Sequence, residues 1–399
     1  MIPPGYGTVD GELAIAGKPV SHWIAEAGGT PLFVYDRAII AARIARLRAA
    51  LPADVRLHYA IKANPMPALV DWIAGQVDGL DVASAGELAI ATASGATEIS
   101  FAGPAKRDAE LEAAIAAGVT INLESEREFE RALALANGRP LRVAVRVNPS
   151  FDLKASGMRM GGGAKPFGID ADRVPALLAR IGEAGAAFQG FHVYAGSQNL
   201  SADSLIEAQA KTIELVAELA AHAPGPVLTA NIGGGFGIPY FAKESALDVE
   251  AVGVALGEAL ARRPAILQAT RFVIELGRYL VGEAGVYLTR VIDRKISHGE
   301  IFLLCDGGLH HQLGATGNLG SFVRRNYPIA NTTRFAGPAV ETASVCGPLC
   351  TPLDRLGEKV ELPETLEGDV IAVFMAGAYG LTASPVHFLG HPEALEVFV

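Results

Sequence analysis

The chain has 399 residues, 50% hydrophobic and 19% charged, which is too apolar for a disordered polymer and too long for one small core, so one large or two ordinary domains are expected. Its 33 Lys and Arg stand against 43 Asp and Glu, a formal net charge of -10 whose field repels nucleic acid and anionic membrane surfaces. Three cysteines, Cys305, Cys346 and Cys350, are too few and odd in number for a disulfide framework, and a reducing, cytoplasmic location is expected.

The N-terminal run MIPPGYGTVDGELAIAG has no basic cluster followed by an apolar stretch, so no secretory signal is read there. TVDGELAIAG itself reads as a hairpin strand. From about residue 30 to residue 280, short β-branched runs alternate with longer Ala- and Leu-rich segments of helical period. The runs are VRLHYAIKA, GLDVAS, EISFAG, TINLES, VAVRVNP, FQGFHVYAGS, LTANIGGG and RFVIELG, separated by predicted helices such as 85–94 and 201–222. Eight strand-helix units predict an α/β fold, a (β/α)8 TIM barrel over residues 27–280, with an open doubly wound sheet as the weaker alternative. The uncharged stretch 219–242 has the length of a membrane span but holds three prolines, several glycines, a histidine and an asparagine, and reads as turn-rich soluble chain. Beyond Gly282, VYLTRVIDRK, EIFLLCDGG, AVETASVCGP and DVIAVFMAGAYG are strand-like with little helical period between them. Residues 281–399, joined by residues 1–26, are therefore expected to form a mostly β domain.

Working residues of such a barrel lie at the C-terminal ends of its strands. Lys62 closes the first run between Ile61 and Ala63. Apolar neighbours destabilise an ammonium and favour the neutral amine that forms Schiff bases with aldehydes, whereas the competing reading is a lysine that snorkels to the rim. Gly233, Gly234 and Gly235 follow the seventh run, and Gly277 and Arg278 follow the eighth, the usual place for a phosphate cradle in this fold. Glu275 lies on the same strand face as Gly277, placed to meet a ring nitrogen, with a salt bridge to Arg146 as the competing reading. An amine, a phosphate loop and a ring carboxylate are three requirements of pyridoxal 5'-phosphate.

YAIKAN, LDVASAGEL, NIGGGFG, ELGR and GAYG occur in that order, and with them the chain resembles, nearly end to end, the fold type III pyridoxal phosphate decarboxylases. That group includes the diaminopimelate, ornithine and arginine decarboxylases and has an alanine-racemase-like architecture. The resemblance implies that Lys62 holds the cofactor, that Glu275 faces its ring nitrogen, and that Ser197, Gly234, Gly235, Gly277, Arg278 and Tyr379 surround its phosphate. It places Asp81 and Arg146 near the cofactor and Tyr194, where most members have histidine, on the ring. His192 reads as a satisfied core histidine. The same resemblance implies that Cys350 is the acid that protonates Cα, that Arg325, Tyr327 and Asp354 meet substrate, and that Cys350 and Asp354 reach the opposite subunit of a homodimer with shared active sites.

In GPLCTPLD, Thr351 stands where diaminopimelate decarboxylases carry a glutamate that reads the distal end of the substrate. HVYAGSQNL, GGGFGIPYF, DGGLHHQ, RRNYPI and GAYGLTASPVHFLGHP resemble the branch that contains L-glutamyl-[acyl-carrier-protein] and exosortase-associated decarboxylases. This implies a lyase acting on an amino acid or aminoacyl substrate with a masked distal end, including one tethered to an acyl carrier protein. A diaminopimelate-type enzyme, a non-catalytic cofactor-binding protein, a racemase and a cofactor-free Schiff-base aldolase are the competing readings. No metal site is expected, since Cys346 and Cys350 lack a second pair. His310 and His311 read as an exposed loop pair. Lys154, Arg159 and Lys165 sit in a glycine-rich loop that either closes over substrate, docks an acidic carrier or is simply solvated.

Overall fold

The computed structural model describes residues 2–152, 154, 157–318 and 325–399, apart from the side chain of Arg159, so the sequence-based reading of that loop cation lies outside the described residues. The chain divides into two compact units, one of Arg43–Ile238 with Ser245–Tyr279, the other of Met1–Ala42, Pro239–Glu244 and Leu280–Val399.

The first unit is a closed parallel barrel. Its strands are, in order, Arg56–Ala60, Gly79–Val82, Ile99–Phe101, Thr120–Leu123, Arg142–Asn148, Ala187–Val193, Thr229–Gly234 and Arg271–Leu276. Six fall within the runs read from the sequence, and the fifth and sixth strands each start one residue before theirs. Neighbours pair in parallel all the way round, and the eighth strand returns to the first through Val273↔Arg56 to Leu276↔Tyr59. The strands are buried almost throughout because helices cover their outer face.

Helix starts are encoded locally. Ser84, Ser125, Ser201 and Asp248 each accept a hydrogen bond from a backbone N–H three residues on, capping Ala85–Ala93, Glu126–Ala136, Ala202–Ala220 and Val249–Ala261. The helix Ala202–Ala220 turns Leu205, Ile213, Val216 and Leu219 inward, a 3.6-residue stripe whose burial stabilises the wall by about 2 kcal/mol per large side chain. The uncharged stretch 219–242 contains the end of that helix and the seventh strand, and among the described residues no helix is long and apolar enough to cross a membrane.

The second unit is mostly β. The 13-residue strand Gly285–Ser297 is its spine, pairing antiparallel with Glu300–Cys305, Val370–Val373 and Leu32–Tyr35. Glu341–Cys346 and Arg355–Leu362 extend the sheet beyond Glu300–Cys305, and Leu395–Phe398 pairs in parallel with Leu32–Tyr35. The N-terminal hairpin is present as Gly7–Val9 against Glu12–Ile15. Leu32–Tyr35, fully buried, is a strand that periodicity does not single out: four residues between Pro31 and Asp36 are too few to show a period.

The exposed-loop reading of His310 and His311 is overturned. Both side chains are fully buried, their ring centroids 3.8 Å apart. His311 Nε2–H donates to the Pro392 carbonyl (2.9 Å), which leaves Nδ1 to accept from the Tyr287 hydroxyl (3.0 Å). Burial, with the like charges of His311 and His391, lowers His310 to about 4, so it is neutral at pH 7.

Candidate active site

The first barrel strand ends at Ala60 and turns through the short helix Ile61–Ala63. That turn buries Ile61 and Ala63 and lifts Lys62 outward, leaving its side chain 42% exposed. The Tyr59 hydroxyl donates to the Asn64 carbonyl (2.9 Å) and fastens the turn from below. Lys62 Nζ lies 3.3 Å from Glu275 Oε1 and 5.5 Å from the centre of the Tyr194 ring. Three residues from strand ends one, six and eight thus converge.

Glu275 is almost wholly buried and receives a second contact, from His192 Nε2 to Oε2 at 3.1 Å. Burial alone would raise this carboxyl, but Lys62, the His192 hydrogen bond and the more distant charge of Arg146 outweigh it and hold the group ionised, well below the usual carboxylate range. The reading of His192 as a satisfied core histidine is therefore corrected: one ring nitrogen serves the site's carboxylate, and the other, Nδ1, is buried with no hydrogen-bond partner. The competing reading of Glu275, a salt bridge to Arg146, is also corrected. Arg146 pairs with Glu124 at 2.6 Å, a residue that also accepts from the backbone N–H groups of Gly103 (2.6 Å) and Gly168 (2.8 Å).

Asp81, at the end of the second strand, is buried and lies 3.3 Å from His58 Nδ1, whose other nitrogen lies 3.4 Å from Glu98. Burial opposes a charge on this imidazole, yet the two carboxylates override it and push His58 up to about 10. His58 and Glu124 were not among the sequence-based candidates, and His192 was read from the sequence as a core residue only. Their one sequence signal is position: His58 and His192 lie on barrel strands and Glu124 directly after one.

The glycine loop is shaped by backbone crowding. Gly233 and Gly235 have φ of +73°, and a Cβ at Gly234 would strike the Glu275 carbonyl oxygen. Asn231 Oδ1 accepts from Gly233 N–H (2.8 Å). The loop after strand six is stitched to it: Asn199 N–H donates to the Gly235 carbonyl (2.9 Å), Gly237 N–H to the Asn199 carbonyl (2.8 Å), and the Gln198 amide to the Ile238 carbonyl (2.6 Å). Ser197 lies in this stitched loop, in a two-residue strand paired with Met158–Arg159. A Cβ at Gly277 would come within 2.8 Å of Ala63 Cβ, so the strand-eight turn carrying Arg278 packs closely on the Lys62 turn. An amine, an ionised carboxylate, an aromatic ring and two interlocked glycine-containing loops fit pyridoxal phosphate. Among the described residues no cluster of His, Cys, Asp and Glu could hold a metal ion.

The remaining candidates lie in the second unit. Cys350 is exposed. Asp354 is buried, and both carboxylate oxygens accept backbone N–H groups, from Leu309 (2.6 Å) and Leu349 (2.8 Å), so it ties the DGGLHH loop to the GPLC loop. Arg325 lies 3.2 Å from Glu244 and over the Phe241 ring at 3.6 Å, while Tyr327 packs against Tyr240 with ring centres 4.7 Å apart. Tyr379 has φ of +54°, a left-handed residue before Gly380.

A closed barrel carrying this lysine, carboxylate and glycine loop, next in sequence to a β domain, defines the fold type III class of pyridoxal phosphate enzymes. The family described as "Pyridoxal-dependent decarboxylase, pyridoxal binding domain" matches residues 37–282, and the chain belongs to it. It is 38% identical over 378 residues to an L-glutamyl-[BtrI acyl-carrier protein] decarboxylase of Niallia circulans, covering 92% of this chain and 88% of the relative. It is 34% identical to a diaminopimelate decarboxylase of Deinococcus radiodurans, covering 92% and 90%. Among solved structures, diaminopimelate decarboxylase of M. jannaschii in complex with L-lysine superposes with a TM-score of 0.89 at 26% identity, covering 100% of this chain and 94% of that one. The protein is a pyridoxal phosphate-dependent decarboxylase acting on an amino-acid-like substrate.

Proposed function

We propose that this decarboxylase takes an α-amino acid whose far end is masked, as in an aminoacyl thioester on an acyl carrier protein, and releases the amine and carbon dioxide. The observation that carries the masked-end reading is Thr351 in GPLCTPLD, a neutral residue where a free diamino acid would need an anion. The similarity to the glutamyl-carrier decarboxylase supports it.

Lys62 would hold the cofactor through its amine, with Tyr194 against the ring, Asp81 and Arg146 beside it, and Ser197, Gly234, Gly235, Gly277, Arg278 and Tyr379 around the phosphate. Bound pyridoxal phosphate supplies an electron sink for the pair left on Cα when the carboxylate departs. Glu275, kept anionic by Lys62 and by the His192 hydrogen bond, would hold a proton on the ring nitrogen and so keep that sink open. Cys350 delivers the proton to Cα from Sγ and is reprotonated by solvent. Arg325 and Tyr327 bind substrate. Asp354, expected from the resemblance to meet substrate, has both oxygens taken by backbone N–H groups and acts instead through the loop it ties, fixing the position of Cys350. Cys350 and Asp354 serve the partner subunit's barrel in a homodimer built on the second unit, whose strand Leu32–Tyr35 lies outside the expected 1–26 and 281–399 and shortens the expected barrel of 27–280.

Carbon dioxide release measured across free L- and D-amino acids, diaminopimelate and carrier-loaded aminoacyl thioesters tests the proposal. Turnover of a thioester well above any free diamino acid is expected. Preferential turnover of diaminopimelate would overturn the masked-end reading in favour of the diaminopimelate type, and racemisation without carbon dioxide would overturn decarboxylation by this chain.

A further inference from the structure

His192 follows strand parity. It lies two residues before Tyr194, on the same face of the sixth strand, with ring centres 6.5 Å apart. Its side chain is 3% exposed, its Nε2 is 3.1 Å from Glu275 Oε2, and its Nδ1 is buried without a partner. These facts select one protonation form. A proton on Nδ1 would leave a buried N–H donor unsatisfied, and a bare Nε2 would set a lone pair against a carboxylate. The neutral ring protonated at Nε2 avoids both.

Glu275 thereby divides its two oxygens, Oε2 to the fixed imidazole and Oε1 to the mobile ammonium of Lys62. We infer that His192 is a positioning residue: it ties up Glu275 Oε2 so that Oε1 is presented to the pyridine nitrogen once the Lys62 amine is committed to the cofactor aldehyde. This rests on the cofactor reading above. The groups whose charge or hydrogen bond Glu275 feels are Lys62, His192 and Arg146, with Glu87 as a like-charged neighbour. Lys62 would leave the carboxylate when its amine holds the cofactor. Arg146 is already engaged by Glu124. His192 is the hydrogen-bond donor that stays with the carboxylate throughout.

The test uses wild type, His192→Phe, which keeps an aromatic ring without a donor, and His192→Gln, whose amide restores one. Three quantities are read: the Kd for pyridoxal phosphate with apoprotein, the pH midpoint of the visible band of the bound cofactor, and kcat against KM. A charge-assisted hydrogen bond is worth about a tenfold factor or more. His192→Phe is expected to raise Kd about tenfold, move the midpoint by about one pH unit and lower kcat with KM little changed, and His192→Gln to recover most of each. Nitrogen NMR of the wild-type apoprotein is expected to show Nε2 protonated and Nδ1 bare, a readout that needs no cofactor and no variant. A His192→Phe protein that binds and titrates as wild type would overturn the inference, as would a His192→Gln protein as impaired as His192→Phe, or an NMR spectrum with the proton on Nδ1. A wild-type chain that takes up no cofactor would overturn the underlying reading as well, and that failure is seen before any variant is made.

Discussion

Lys62 and Glu275 are 213 residues apart in sequence and meet at 3.3 Å, a half-exposed cation against a buried anion. The asymmetry matters. The lysine can leave the pair at little desolvation cost because water already reaches it, whereas the carboxylate cannot lose all its partners without a large penalty. The site is thus arranged for the amine to be the moving part and the carboxylate the fixed one.

Lys62→Ala is expected to abolish turnover and the visible band of the bound cofactor. Because the lysine is 42% exposed, the melting temperature should stay within about 3 °C of wild type. Absorbance, carbon dioxide release and a thermal melt check the three parts, and a variant with full activity would remove Lys62 from the cofactor's attachment.

Glu124 holds the buried Arg146 at 2.6 Å and accepts from the half-buried backbone of Gly103 and Gly168. Glu124→Ala leaves the arginine charge and two backbone donors without their acceptor, at a cost of about 3 kcal/mol. Burial would raise the Glu124 carboxyl, but Arg146, Lys106 and the Gly168 N–H lower it. A depressed carboxylate contributes stability that is present above its unfolded pKa and lost as pH falls through the folded one. Denaturant melts should therefore show wild type losing part of its margin over Glu124→Ala in acid below about pH 4.5. A constant margin down to pH 2 would refute this.

The barrel was legible because its signal is repeated: eight apolar runs alternate with helices, and four of the helix starts carry a Ser or Asp cap. The β unit was legible from the change of texture after Gly282. What no single segment records is which polar residues meet across the lumen. His192 and Glu275 belong to strands six and eight, with strand seven between them, so their contact depends on barrel closure and tilt. For the same reason the carboxylates on either side of His58 were not foreseen. His310 and His311 misled because adjacent residues in an extended strand face opposite ways, whereas here they lie in a turn that buries both.

His58 makes a second pH-dependent contribution, of opposite sign to that of Glu124. With its folded pKa raised to about 10 by Asp81 and Glu98, its stabilisation is complete below the unfolded value near 6.5 and declines as pH rises towards 10. Wild type should lose on the order of 3 kcal/mol between pH 7 and 10 through this group, at about 1.4 kcal/mol per pKa unit. His58→Gln should flatten the profile over that range. Equilibrium unfolding at pH 7, 8.5 and 10 measures it, and parallel profiles for the two proteins would show that His58 is not held charged.

Gly234 tests the cradle by crowding alone. A Cβ there would strike the Glu275 carbonyl and come within 2.7 Å of Leu276 Cδ2, so the seventh and eighth strands must move apart to admit it. Overpacking of this kind costs about 1–3 kcal/mol. Gly234→Ala is expected to weaken pyridoxal phosphate binding about tenfold or more while the apoprotein still folds, as seen by equilibrium dialysis beside circular dichroism. Unchanged cofactor affinity would mean that strands seven and eight tolerate the methyl group and that the phosphate is held elsewhere.

Cys350 separates bond breaking from reprotonation. It is exposed, on a loop whose geometry is set by Asp354 through the Leu349 N–H. Losing a positioned acid slows proton transfer by about 10²–10⁴-fold, but Cys350→Ala removes nothing from the lysine, carboxylate or glycine loops of the barrel. Cofactor affinity and the visible band should therefore match wild type while kcat falls. In deuterium oxide, the product of the wild type should carry one deuterium at Cα with a single configuration, and that of the variant a mixture of configurations, because solvent then delivers the proton from either side. Asp354→Asn, which keeps one acceptor oxygen and loses the other, should give an intermediate kcat with the configuration retained. A Cys350→Ala protein with wild-type kcat and one configuration would assign the proton to another group.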